Sequence, residues 1–289
     1  MRCAINLPAF QAFADVRALA DLAHEAEETG WDGFFLWDHM QTAPNGPTAD
    51  PWIALTAIAL RTERIRFGAL VTPLPRRRPW KFARETATLD QLSGGRLIVG
   101  VGIGGDWWRE YSAFGEPADE RTHGAMLDEA LDVVTGLWSG EPFSYEGRYY
   151  TIHDAQFLPT PKQQPRIPIW VAGIWPHKAP MRRAARWDGV CPIPLVDGGA
   201  VHPDEVREIV AYIGQQRASG ASGGASSGAS GAPFDVTLAG WIGSLAADEA
   251  ADRLRSYEAA GVTWWQEGFL PGDSIEAVRE RIQQGPPRL

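Results

Sequence analysis

The chain has 289 residues, 44% of them hydrophobic and 22% charged, with a formal net charge of −9. That length suits a single (β/α)8 barrel spanning 1–289, while the acidic balance excludes a nucleic-acid binder. No apolar run approaches the ~18 residues of a membrane span, the N-terminus lacks a secretory pattern, and the two isolated cysteines, Cys3 and Cys191, read as packing residues in a reducing, cytoplasmic setting.

Strand-like and helix-like segments alternate along the chain. Arg2 to Leu7 reads as a first strand. A helix follows from Asp15 to Thr29, with an apolar stripe at helical spacing and Gly30 closing it. Gly33 to Trp37 has the continuous apolar character of a buried strand. Asp50-Pro51 opens a helix through Leu60, with proline in its first turn. Further strand and helix pairs are expected at Ile65–Val71 with Pro79–Leu92, and at Arg96–Gly102 with Glu120–Trp138. Residues 139–166 read as an excursion holding a small hairpin around Glu146-Gly147. The last four pairs are Ile167–Ala172 with Pro176–Arg186, Gly189–Pro192 with Pro203–Arg217, Asp235–Ile242 with Ala246–Ala260, and Val262–Phe269 with Ser274–Gln283.

Eight such units predict a parallel sheet with helical crossovers, closed into a barrel. Residues 219–232 (SGASGGASSGASGA) are low in complexity and read as a surface loop. The segment Trp52 to Leu60 (WIALTAIAL) is apolar nearly all round, where a peripheral helix needs only one apolar face. Its second face is expected to be covered by another subunit, making a homodimer, or else by a loop.

In barrels of this kind the functional residues stand at the C-terminal ends of the strands. Asp38 and His39 follow the second strand, Thr72 ends the third, and Gly102 and Gly104 follow the fourth. Seven of the thirteen tryptophans, Trp37, Trp107, Trp108, Trp175, Trp241, Trp264 and Trp265, lie on or after strands two, four, five, seven and eight. Glycine allows close backbone approach and tryptophan supplies apolar wall, so a wide aromatic pocket for a flat ligand is expected. The turn Gly173 to His177 offers backbone N–H groups for a phosphate, or is a plain strand-to-helix turn. Arg76-Arg77-Arg78 reads as a solvated loop or as a contact for a phosphate or an acidic substrate. The six histidines form no HxH or HExxH pair, so no metal site is expected, and no GxSxG elbow marks a serine hydrolase.

The segment FGALVTPLPRRRPWKFARETATLDQLSGGRLIVGVGIG, Phe67 to Gly104, resembles the luciferase-like monooxygenase family. So do Phe114-Gly115, the run Leu137 to Gly140 with Gly147 to Tyr150, the fifth strand, and Ala184 to Gly189. The resemblance implies an α/β barrel using a reduced flavin, either FMN or the deazaflavin coenzyme F-420. It implies a non-proline cis peptide at Ala69-Leu70 supporting the ring, proton-handling groups at Asp38 and His39, and Thr72 near the ring edge. It places the phosphate tail at Ala172, Gly173, Ile174 and Trp175. One departure stands out: Gly105 occupies the position where deazaflavin sugar-phosphate dehydrogenases carry a glutamate. The expected function is hydride transfer or oxygen insertion on a small organic substrate, with a separate flavin reductase as a further partner. The rival readings are a non-catalytic flavin-binding protein and a cofactor-free hydrolase or lyase using Asp38, His39 and Glu267.

Overall fold

The computed structural model describes residues 1–42, 46–194, 200–219 and 233–287. The low-complexity stretch lies outside the described residues from position 220 onward. In chain order the elements are β1 (Arg2–Leu7), α1 (Val16–Glu28), β2 (Gly33–Leu36), α2 (Pro51–Arg61), β3 (Arg66–Ala69), β4 (Thr72–Pro73), α3 (Pro79–Leu92), β5 (Val99–Gly102), α4 (Glu120–Trp138), β6 (Phe143–Glu146) and β7 (Thr151–Ala155). They continue with β8 (Ile169–Ile174), α5 (Lys178–Ala184), β9 (Gly189–Ile193), α6 (Pro203–Ala218), β10 (Asp235–Gly240), α7 (Ala247–Ala260), β11 (Trp264–Gly268) and α8 (Ile275–Gln283).

Local signals set the helix starts. Asp15, Asp50 and Asp119 each accept a backbone N–H from the first turn of α1, α2 and α4, meeting donors that have no partner within the helix. Pro51 and Pro79 stand at first-turn positions, where a missing N–H costs nothing.

The strands run parallel in the order β3-β2-β1-β11-β10-β9-β8-β5-β4, with β6 and β7 forming a separate antiparallel hairpin. The third barrel position is split. Its first half, β3, pairs with β2, and its second half, β4, pairs with β5. The gap is spanned where Ile98 donates its N–H to the Phe67 carbonyl at 2.9 Å, so the sheet closes with eight positions. Gly68 permits this crossing, because a Cβ there would overlap the Ile98 carbonyl.

The break in the third strand holds a non-proline cis peptide at Leu70-Val71. The expected position, Ala69-Leu70, is therefore one residue early. Ala69 ends β3 in register with Leu36, and both side chains pack outward in the main core. Leu70 is the side chain that enters the lumen, where it meets Ala4, Phe35, Ile98, Trp170 and Trp264, with Val71 against them. These residues make the floor of the barrel.

Candidate active site

The site is built where β2 and the loop after β5 meet. His39, directly beyond β2, places Nδ1 2.9 Å from Glu110 Oε2. The Glu110 carboxylate is 4% exposed. It also accepts the Met40 N–H at 2.7 Å and Arg76 Nη1 at 2.5 Å. Burial alone would raise the Glu110 pKa, but the hydrogen bond and charge of His39, the Arg76 guanidinium and the Met40 amide outweigh it and hold the group below the ordinary glutamate value. Glu110 is therefore an anion beside His39. Around the imidazole stand Trp108 at 4.5 Å, Phe10 at 5.6 Å and Trp37 at 6.3 Å between ring centroids. Gln41 ties the two loops together by donating to the carbonyls of Trp108 and Arg109.

Asp38 precedes His39 in the loop after β2. Its side chain is fully buried. It accepts from Thr72 Oγ1 at 2.8 Å, Trp52 Nε1 at 3.2 Å, Arg77 at 2.9 Å and Arg76 at 3.2 Å. A carboxylate so shielded and so fully engaged positions its neighbours. It joins α2, the entry to α3, β4 and the β2 loop at one point. Thr72 serves the same junction. Arg76, read from sequence as a solvated loop or an anion contact, is 4% exposed and bridges the Asp38 and Glu110 carboxylates. Removing one member of such a cluster leaves a buried charge unpaired.

The glycines after β5 are accounted for by protein neighbours. A Cβ on Gly102 would meet Val71 and Ala172, and Gly104, at φ +69°, sits against Pro73 and the Tyr111 hydroxyl. On the strand next to β5, Ala172, Gly173 and Ile174 close β8. Gly173 faces Pro180 and Met181, so its missing side chain lets α5 pack on the strand. Trp175 is anchored by donating Nε1–H to Glu208 at 2.9 Å, and Lys178 Nζ stands 3.4 Å above its ring. His177 is exposed and precedes α5, which starts at Lys178 rather than at Pro176.

Three further expectations are corrected. Trp264 belongs to the lumen floor, and Trp265 packs outward against Tyr257, so neither walls the mouth. Glu267 points outward. It accepts the Ile242 and Gly243 amides, which removes it as a catalytic acid of a hydrolase. Among the described residues the one group of three side chains spaced to hold a metal ion, His24 with Glu27 and Glu28, lies on α1. Its Glu27 already accepts the amides of Glu63, Arg64 and Ile65.

Sequence reasoning missed Glu110, the pairing of Arg76 and Arg77 with Asp38, and a polar row inside the barrel. In that row Asn6 donates to Gln266, and Gln266 donates to Thr237. Asn6 is 5% exposed, and its Oδ1 has no partner. Asn6 and Gln266 share the inward face with Ala4, one register step above the floor. Only the polarity of two residues inside strand-like runs hinted at this.

Comparison with known proteins adds the lineage. The sequence profile described as luciferase-like monooxygenase matches residues 1–281. The chain belongs to the luciferase-like monooxygenase family. Within this family it is 35% identical over 163 residues to a protein of Microbacterium testaceum named F420-dependent glucose-6-phosphate dehydrogenase, covering 55% of this chain and 47% of that one. The chain thus spans about half the length of the first of its curated relatives. An uncharacterised protein of Mycobacterium bovis is 31% identical over 225 residues, covering 72% of this chain and 74% of its own. An F420-dependent secondary alcohol dehydrogenase, solved with an F420-acetone adduct, superposes with a TM-score of 0.80 at 17% identity, covering 99% of this chain and 98% of that one. The coenzyme F420-dependent tetrahydromethanopterin reductase of Methanopyrus kandleri gives 0.76 at 19% identity, covering 98% and 97%. These two establish the luciferase-like (β/α)8 barrel as the fold. No helix among the described residues is long and apolar enough to cross a membrane.

Proposed function

We propose that this family member is an oxidoreductase that uses a reduced flavin-type coenzyme, FMN or F420, on a small organic substrate, with His39 handling the proton. The observation that carries the reading is the ionised Glu110 held 2.9 Å from His39 Nδ1 inside an aromatic cage at the barrel mouth. The lumen fits a flat ring. Above the aromatic floor five inward-facing positions are small (Gly102, Ala172, Cys191, Ala239 and Gly268), and the buried, unpartnered Asn6 Oδ1 offers an acceptor to a ring N–H. The relatives named above support F420 as the first coenzyme to test.

When bound, such a coenzyme supplies hydride transfer or oxygen activation. The chain supplies the rest. Glu110 fixes the proton on His39 Nδ1, which leaves Nε2 to exchange a proton with a substrate oxygen. Phe10, Trp37 and Trp108 limit the access of water to the imidazole. Leu70 and Val71 are proposed to support the ring from below. Ala172 to Trp175, with His177 and Lys178, are proposed to hold the phosphate tail. The exposed face of α2, carrying Ile53 and Leu60, is proposed to pair with a second copy of the chain. With FMN, a separate reductase would deliver the reduced coenzyme.

The test is titration of the purified protein with FMN and with F420, oxidised and reduced, followed by coenzyme fluorescence. One of them is expected to bind in the micromolar range or tighter, about −8 kcal/mol. Failure of both to bind overturns the proposal.

A further inference from the structure

The barrel has a second end, at the N-terminal pole of its strands. Side chains alternate between the two faces of a strand, so outward residues fix which of their neighbours face the lumen. Cys3 and Ile5 pack in the outer core, which turns Arg2 inward on β1 with Ala4. Phe67 and Ala69 are outward on β3, which turns Arg66 inward, and Val236 and Leu238 do the same for Asp235 on β10. The guanidinium carbon of Arg2 lies 5.1 Å from the centroid of the Trp264 ring, in the barrel floor. Two arginines therefore enter the barrel from below, one on β1 and one on the first half of the split third strand.

These cations lack a counter-charge. Arg2 stands over Trp264, and Arg66 donates from Nη2 to Gln163 Oε1 at 2.9 Å and to the Leu97 carbonyl at 3.5 Å, so among the described residues neither forms an ion pair. The nearby carboxylates are engaged elsewhere: Asp235 accepts from Thr263 Oγ1, Asp90 from Gln163, and Asp32 from the Cys3 amide. Burial and the charge of Arg2 hold the Arg66 guanidinium below its usual range, and Arg96 acts in the same direction, although Asp90 and Asp235 oppose them. A half-buried cation facing a second cation is unfavourable until an anion joins the two.

The unpartnered polar atoms at this end are all donors. Arg66 Nε, Trp170 Nε1 and Trp264 Nε1 are buried without a hydrogen-bond partner, and both indoles are at most 1% exposed. Trp170 Nε1 lies on the pole side, because a Cβ on Gly189, the first residue of β9, would stand 2.9 Å from it and 2.7 Å from the Asp235 carbonyl. Water brings no charge to such a place. An oxyanion accepts from several N–H groups at once and matches the guanidinium fork.

We infer that the N-terminal pole of the barrel binds a small oxyanion between Arg2 and Arg66, with Arg66 Nε and Trp170 Nε1 as its buried donors. The site lies at the opposite end of the lumen from His39 and needs no coenzyme. Its occupant links β1 to β3 beneath the break in the third strand, so it acts on stability and not on turnover.

The experiment is calorimetric titration of the full chain with inorganic phosphate, beside thermal unfolding in phosphate and in chloride at matched ionic strength. The parent is expected to take up phosphate saturably at this site, about one per chain, and its Tm to rise to a plateau as the site fills. Arg2→Gln, at an exposed position, is expected to weaken that uptake tenfold or more and to remove the plateau, with coenzyme affinity unchanged. A general salt effect would raise Tm without saturation and equally in both proteins. Lys178→Ala, on the side proposed for the coenzyme tail, is expected to leave the Arg2-dependent uptake intact. Absence of saturable uptake, uptake indifferent to Arg2→Gln, or uptake wholly lost in Lys178→Ala overturns the inference.

Discussion

Two regions of this barrel expose apolar side chains, and they are built differently. At the mouth, exposed Met40, Trp107 and Trp241 stand at strand ends beside an ionic cluster in which Asp38 pairs with Arg76 and Arg77, and Glu110 with Arg76 and His39. On the flank, Ile53 and Leu60 of α2 and Trp80 and Leu92 of α3 stand exposed, and Ile53 and Leu92 line a cavity of about 400 Å³ together with Arg77, Lys81 and Arg84. The mouth brings together groups from distant parts of the sequence around one histidine. The flank has two neighbouring helices and no inward-facing chemistry. Apolar exposure alone does not separate a substrate site from an association surface; what lies beneath it does. Arg77 is the residue common to both, since it lines the flank cavity and pairs with Asp38.

Substitutions that act on one region and spare the other can break this contrast. The largest effect is expected from His39→Ala. Loss of a positioned acid–base group typically costs about 10²–10⁴-fold in turnover. Coenzyme affinity and oligomeric mass should stay at parental values. Parental turnover in steady-state assays would remove His39 from the mechanism. Next in size is the flank. Replacing Ile53 and Leu60 together by lysine would bury unpaired charge in any self-association through α2, which predicts about a hundredfold or greater weakening of the dimer. Sedimentation should show the parent as a dimer and the double variant as a monomer with turnover retained. A parent that sediments as a monomer rules out the flank as a self-association surface.

How far the site was legible in the sequence follows the same division. The barrel was legible because each unit carries its own punctuation: Asp50-Pro51 before α2, and Ser93-Gly94-Gly95 after α3. Asp38, His39 and Thr72 were legible as strand-end residues; Thr72 donates to Asp38, and His39 pairs with Glu110. Those partners were not legible. Nothing in a one-dimensional reading distinguishes a carboxylate saturated by two arginines from one facing a ligand. The pairing of His39 with Glu110 spans 71 positions, and no local pattern joins them. The three consecutive arginines illustrate the same limit, because composition gives their charge while only the fold supplies the buried carboxylates that neutralise Arg76 and Arg77. The split of the third strand was hidden for another reason. Gly68 to Pro73 reads as one continuous apolar run, although its backbone turns at Leu70-Val71 and hands the pairing from β2 to β5.

The smallest effect expected is also the one that tests the ionic cluster most directly. Glu110→Gln keeps the shape of the side chain and removes its charge. The amide can still accept from Arg76 or from the Met40 N–H, but it can no longer balance the guanidinium or act as an ionised partner for His39. Hydrogen bonds to charged groups contribute about 1.5–3 kcal/mol, so a loss of that order in urea unfolding at neutral pH is expected. The pH dependence gives the sign. Glu110 has a folded-state pKa below its ordinary value of 4.5, so its contribution is fully present above that value. It is lost as the pH falls from there through the lower folded-state value. The parent should therefore lose stability more steeply than Glu110→Gln below about pH 4.5, and the two curves should converge in acid. The other carboxylates held low, at Glu27, Asp106 and Asp119, are present in both proteins and cancel in the difference. A constant gap between the curves down to the acid limit would mean that Glu110 titrates alike in the folded and unfolded chains, so that its charge gains nothing from His39 or Arg76. A parent that gains stability relative to Glu110→Gln as the pH falls from neutral would mean that the folded carboxyl holds its proton there, and His39 would then lack the anion that fixes its proton on Nδ1.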